Sequence, residues 1–163
     1  MDTAIPEIRF DENGVCQFCQ IHDVLEARYP LNESGEKELV SLVERIKAAG
    51  KNRKHNCIVG VSGGRDSIWT LYSAVKLGLR PLAVHFDNGW NSEIATKNIY
   101  KATEKLGVDL ETVVADWHEF RDIQRAFLRA STPDVEVPTD LAIHSVLHYV
   151  AAKENVRYIL NGH

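Results

Sequence analysis

From residue 57 onward the chain alternates short apolar runs with longer amphipathic ones, and this rhythm limits its possible folds more than any other feature. Cys57–Val61, Pro81–Phe86, Leu110–Ala115 and Val156–Leu160 read as strands. Between the first two, Asp66–Leu77 reads as a helix with Trp69, Tyr72 and Val75 on one side and Gly78 ending it. Asn91 or Ser92 can cap the next helix, which runs through Leu106 and stops at Gly107. Asp116 and Glu119 have capping-box spacing ahead of a helix carrying Phe120, Ile123 and Phe127. Ser131–Pro138 reads as a loop, and Thr139 as the cap of a helix bearing Ile143, Val146, Leu147 and Val150. Strands alternating with helices predict an α/β fold, a Rossmann-like parallel sheet with helices on both faces. Such sheets bind ligands outside the carboxyl ends of their strands, near a switch in strand order. Three of these ends carry notable residues: Ser62–Ser67, Asp87–Trp90 and Asn161–His163.

The 163 residues suit one such domain with a small appendage. Residues 1–33 read as an irregular, cysteine-containing segment, with Pro6, Asn13-Gly14, Pro30 and Asn32 as turn signals. Residues 34–163 form the main domain, opening with a helix that carries Leu39, Leu42, Val43 and Ile46. The chain has 19 basic against 23 acidic side chains, a net charge of −4, which argues against a broad nucleic-acid-binding face. With no long apolar run and no basic-then-apolar start, the chain reads as soluble and cytoplasmic, without a membrane partner. Three cysteines without an export signal argue against a disulfide framework, and Cys57 reads as a small core hydrophobe.

Val61-Ser62-Gly63-Gly64-Arg65-Asp66-Ser67 joins the first strand to its helix. Two glycines let backbone N–H groups come close to a ligand, and the helix N-terminus behind them favours an anion. Ser62 and Ser67 add hydroxyls and Arg65 a guanidinium, while Asp66 suits Mg²⁺, which accompanies phosphate chains. A Walker A loop, G-x-x-x-x-G-K-S/T, is absent from the sequence. Gly60-Val61-Ser62-Gly63-Gly64 also fits G-x-S-x-G, the nucleophile elbow of serine hydrolases, with Asp87 or Asp140 and His144, His148 or His163 in the required order. That rival leaves Arg65, Asp66 and Ser67 without a purpose.

Ser-Gly-Gly-Arg-Asp-Ser after a first strand resembles the pyrophosphatase loop of the N-type ATP pyrophosphatases, S-G-G-x-D-S. The resemblance spans roughly residues 55–163 and takes in His85-Phe86-Asp87-Asn88-Gly89 and Gly162-His163. It implies an adenine nucleotide alpha hydrolase-like fold and an enzyme that splits ATP to AMP and pyrophosphate while adenylating a carbonyl-type oxygen. Ser62, Gly63, Gly64, Arg65 and Ser67 would surround the β- and γ-phosphates, with Asp66 near Mg²⁺. Backbone near Val61 and Phe86, beside Asp87, would hold adenine, and Gly162 and His163 would lie near the α-phosphate.

Phe10-Asp11-Glu12-Asn13-Gly14-Val15-Cys16-Gln17-Phe18-Cys19 narrows the resemblance to the N-acetyl sugar amidotransferases of surface-polysaccharide, including lipopolysaccharide, biosynthesis. Those enzymes convert an acetamido group into an acetamidino group, using ATP and ammonia from a glutaminase partner. The substrate implied is an N-acetyl sugar nucleotide. In that family a further C-x-x-C lies upstream and the chain continues past Gly-His, where most sugar contacts are expected. Cys16 and Cys19, extended by His22, would then be part of an incomplete Zn²⁺ site. A reduced pair and a redox pair are the other readings of this C-x-x-C. A tRNA-modifying member of the same superfamily and a non-catalytic nucleotide-binding module remain as alternatives. His144 and His148, four residues apart, read as a polar helix face. Trp69, Trp117 and Phe120 read as core, and Trp90 as a candidate lining of the cleft.

Overall fold

The computed structural model describes residues 2–162, so His163 lies outside the described residues. The chain divides into two compact units, residues 1–42 and 43–163. The smaller unit is built on a tight turn. Asp11 Oδ1 accepts from the N–H groups of Asn13 and Val15, both at 2.9 Å, and Gly14 sits at φ +76°. These N–H groups, Val15 foremost, hold the Asp11 carboxyl below its ordinary range. The turn pairs Phe10 with Cys16 and leads into α1 (Gln17–Arg28). A helix here corrects the irregular reading of residues 1–33. Its apolar side chains Phe18, Ile21 and Leu25 do follow helical spacing, but they are exposed and mixed with polar neighbours, so the signal is weak.

α2 (Glu33–Ala49) begins in the smaller unit and ends in the larger, where Val43 and Ile46 are buried. The larger unit then runs β1 (Cys57–Gly60), α3 (Arg65–Lys76), β2 (Pro81–Asp87), α4 (Glu93–Leu106), β3 (Asp109–Val114), α5 (Trp117–Arg129), α6 (Val137–Lys153) and β4 (Ile159–Leu160). All strands are parallel, in the order β3-β2-β1-β4. The path steps outward from β1 to β3 and then crosses back to β4 on the far side of β1. Right-handed crossovers therefore put α3 and α4 on one face and α5 and α6 on the other. This is the predicted α/β architecture, with its switch point between β1 and β4.

Parallel partners share a face, and the register Ile58–Leu82 and Gly60–Val84 sets the core beneath α6. Ile58, Leu82, Val84, Leu147, Val150, Ala151 and Val156 form one buried cluster. Each buried valine, leucine or isoleucine here contributes about 1.5–3 kcal/mol relative to exposure. Gly60 sits within that face. A Cβ there would stand 3.3 Å from Leu147 Cδ1, so the glycine lets α6 approach the strand. No helix among the described residues is long and apolar enough to cross a membrane.

Three helix details differ from expectation. α6 starts at Val137, with Pro138 in its first turn, two residues before the expected cap Thr139. Proline is pre-set for that turn and has no N–H to satisfy there. Trp69 is 65% exposed, because α3 buries Ser67, Leu71 and Ala74, a stripe that excludes it. Trp117 is likewise 40% exposed, while Phe120 is core as expected. Ser92 and Asp116 do cap α4 and α5 with their side chains, and Gly107 ends α4 at φ +64°.

Candidate functional site

A cleft of about 220 Å³ opens at the carboxyl edge of the sheet, where β1, β2 and β4 end beside the switch point. α6 supplies one wall through Ile143, Val146 and Leu147, and the loop after β1 supplies another through Ser62 and Ser67. The apolar wall suits a flat ring, and the hydroxyl-lined side suits phosphate.

The loop is held by its own serines. Ser67 Oγ accepts from the Ser62 N–H at 3.2 Å, contacts Ser62 Oγ at 3.2 Å, and donates to the Gly64 carbonyl at 3.2 Å. Gly63 turns the chain at φ +79° and rests on α4; a Cβ there would overlap the Ala95 carbonyl. Asn98 Nδ2 donates to the Gly63 carbonyl at 3.2 Å, fixing this contact. Gly64 is the N-cap of α3 and offers no side-chain cap. The first N–H groups of α3 therefore lack the partner that Ser92 and Asp116 give their helices, and together with the helix dipole they favour an anion.

Gly162 closes the cleft from the β4 side. A Cβ there would lie 2.5 Å from Thr70 Oγ1 and 2.7 Å from the Asp66 carbonyl, so the strand end lies directly on the α3 N-terminus. Ser62, Gly63, Gly64, Ser67 and Gly162 are thus gathered around one helix end. Val61 and Phe86 line the cleft, with Phe86 edge-on to Phe120 at 5.8 Å. The Val61 N–H donates to the Val84 carbonyl, and its own carbonyl accepts from His85 Nδ1 at 2.9 Å. That N–H is committed to the sheet.

Arg65 and Asp66 open α3 outside the cleft lining, with side chains 94% and 72% exposed and Nε 3.5 Å from Oδ1, and Arg65 lines a separate pocket with Trp69 and Tyr72 rather than the phosphate side expected of it. A pair this exposed contributes little and gives way to a ligand. Asp66 fits Mg²⁺: the ion takes one or two carboxylates and completes its shell with phosphate and water. Asp87 is otherwise engaged, its Oδ1 accepting from the Gly89 N–H at 2.9 Å and Asn91 Nδ2 at 2.8 Å.

Sequence reasoning quoted His85 and Asn88 only within the stretch that ends the second strand and gave neither a role in lining the cleft. His85 is buried, and with Nδ1 donating to Val61 its Nε2 accepts from Asn91 Nδ2 at 3.2 Å. Asn88 is also buried and donates to Thr139 Oγ1 at 3.4 Å. Nothing in a single sequence distinguishes these from ordinary strand-end polar residues, save their place at the ends of β2.

The C-x-x-C stands in the smaller unit. Cys16 is the N-cap of α1 and buried, Cys19 is exposed, and their sulfurs are 3.6 Å apart. The Cys19 N–H, the largest influence, lowers the Cys16 thiol, and the Cys16 thiol raises that of Cys19. Both are free thiols. Among the described residues His22 does not cluster with both cysteines: its Nδ1 lies 3.7 Å from Asp23 and 3.9 Å from Glu26, an exposed trio. Two thiols do not make the four-ligand shell of structural zinc, so the described residues do not fit a closed site. His144 and His148 are exposed, and His148 Nδ1 donates to the His144 carbonyl at 2.8 Å.

No family model matches the chain. An uncharacterized protein of Methanocaldococcus jannaschii is 28% identical over 158 residues, 96% of this chain and 53% of its own. The chain thus spans about half the length of the curated relative it matches. Among solved structures, the ammonia-dependent NAD synthetase of Campylobacter jejuni superposes with a TM-score of 0.51 at 16% identity, covering 75% of this chain and 54% of its own. NMN synthetase of Francisella tularensis gives 0.53 at 20% identity, over 75% and 50%. The glutamine-dependent NAD⁺ synthetase of Acinetobacter baumannii, in complex with ADP, gives 0.54 at 20%, over 72% and 23%. At these identities the likeness establishes the fold: this chain has the α/β fold found in those synthetases.

Proposed function

We propose that the cleft binds ATP·Mg²⁺ and that the chain is the nucleotide-activating part of a PP-loop ATP pyrophosphatase. The carrying observation is the uncapped α3 N-terminus, ringed by Ser62, Gly63, Gly64, Ser67 and Gly162, beside the apolar wall of α6. Donors already fixed by packing need no reorganisation as charge shifts on the phosphates, and each well-placed one is worth about 3–4 kcal/mol of barrier. Asp66 would hold Mg²⁺, which neutralises phosphate charge. The fold's occurrence in ammonia- and glutamine-dependent synthetases, one of them solved with ADP, supports this reading.

Within that class the reading we favour is amidotransfer to an N-acetyl sugar. An amide carbonyl is a poor electrophile with a poor leaving group. Adenylation of its oxygen by the ATP α-phosphorus expels pyrophosphate. Ammonia from a glutaminase partner then adds to the carbon, AMP leaves with the oxygen, and loss of a proton gives the acetamidine. The stretch Phe10–Cys19 supports this choice over tRNA thiolation, as does the net charge of −4.

The reading predicts that AMP and pyrophosphate bind together without displacing each other, since they are the two halves of ATP on the two sides of the cleft. Calorimetric titration of each in the presence of the other tests it. Mutual displacement would contradict it. Labelling of the chain by a serine-directed phosphonate, lost in Ser62→Ala, would favour the hydrolase. AMP formation that depends on an acetamido sugar, on tRNA or on neither separates the substrates.

A further inference from the structure

A second pocket, of about 510 Å³, lies beside the cleft, and Asn88 lines both. Two indoles wall it. Trp90 follows β2 and Trp117 opens α5, their rings edge to face with centroids 5.5 Å apart. Trp90 is 64% exposed and Trp117 40%. Exposed side chains are usually loose, yet these are fixed from three sides. Trp90 Nε1 donates to Oε1 of the buried Gln124 at 2.7 Å, and its N–H donates to Asn88 Oδ1 at 3.1 Å. Gly89, at φ +84°, lies under the Trp117 ring, where a Cβ would come within 2.9 Å. The result is a rigid aromatic platform open to solvent.

Arg121 and Arg125, one helical turn apart on α5, line the same pocket. Both lean on the exposed carboxylate of Asp122, at 3.1 and 3.7 Å, and such exposed pairs yield to a stronger anion. With two guanidiniums against the Glu136 carboxylate, the pocket lining carries surplus positive charge, which favours an anionic ligand over a neutral one. A diphosphate offers them bidentate partners.

We infer that this pocket receives the acceptor as a sugar carried on a nucleoside diphosphate, with Trp90 and Trp117 under its rings and Arg121 and Arg125 on its phosphates. The inference rests on the amidotransfer reading above, in which the acceptor carbonyl must reach the α-phosphate. Only a pocket adjoining the nucleotide cleft meets that need, and Asn88 is the shared wall.

The test follows tryptophan fluorescence while uridine diphosphate N-acetylglucosamine is added to the chain, with ATP·Mg²⁺ affinity measured separately by calorimetry. The expected result is saturable quenching, weakened about tenfold or more in Arg121→Gln/Arg125→Gln, where charge-assisted hydrogen bonds are lost. ATP affinity should be unchanged in that variant, and ATP should not displace the sugar nucleotide. Circular dichroism checks that the variant is folded; Arg121→Lys/Arg125→Lys, which keeps the charge, should recover part of the affinity. No quenching at millimolar ligand, equal quenching in the Gln variant, or displacement by ATP would overturn the inference while leaving ATP binding intact. Loss of ATP binding with arginine-dependent quenching retained would instead sink the amidotransfer reading and keep the pocket.

Discussion

Cys57 shows how strongly position sets the chemistry of a residue. It is fully buried at the start of β1, and burial pushes its thiol from an ordinary 9.0 up to about 12. The folded chain keeps this proton at pH values where the unfolded chain has lost it. Its contribution is therefore fully present below pH 9 and declines as pH rises from about 9 towards 12. Cys57 should resist a thiol reagent at pH 8 until the chain is unfolded with urea, while Cys19 reacts in the folded state. Rapid labelling of Cys57 in folded protein, read by mass spectrometry, would show the strand start to be open. The bland reading of this cysteine was available from its apolar run. Gly63 was legible too, because a Gly-Gly pair between strand and helix points to backbone that must turn and approach something. Its contact with Ala95 was not, since nothing local predicts which helix lies across the loop. His85 and Asn91 escaped for the same reason: their partnership is set by the bend of the chain after β2.

Helices and strands followed their caps and periods where both were strong. Ser92 and Asp116 hold the N-termini of α4 and α5 as their spacing suggests. Where one signal was weak the reading failed. α1 has exposed apolar residues and no polar cap, so its pattern was too faint to separate from loop. The tryptophans misled for a different reason. Large apolar side chains at helical spacing imply a buried face, but α3 and α5 bury smaller or polar neighbours and leave Trp69 and Trp117 outward. Asp116 links the helix end to the pocket. Its Oδ1 accepts from the N–H groups of His118 at 2.9 Å and Glu119 at 3.1 Å, next to Trp117. Asp116→Ala should cost about 1 kcal/mol of stability, measured from the urea midpoint, and shift the tryptophan emission. An unchanged midpoint would mean that water replaces the cap at no cost.

For the molecule as a whole, the order β3-β2-β1-β4 accounts for where chemistry can occur. Reversal of direction after β3 leaves a gap above β1, and the loop carrying Ser62–Ser67 leads into α3 from that point. The fold was legible because it follows from alternation, and the place of the candidate cleft because glycines mark the strand end that lines it. The second pocket was not, because it joins residues from three segments that no motif connects. This gap is the proposed nucleotide site, its metal held by Asp66, a side chain 72% exposed and paired with Arg65. The most direct measurement is calorimetric titration of ATP, with and without Mg²⁺, into the chain and into Asp66→Ala. Mg²⁺-dependent binding to the parent, loss of that dependence in the variant, and the same thermal unfolding temperature for both are expected. Parent and variant binding ATP·Mg²⁺ alike, or a folded parent that binds no ATP at millimolar concentration, would contradict it.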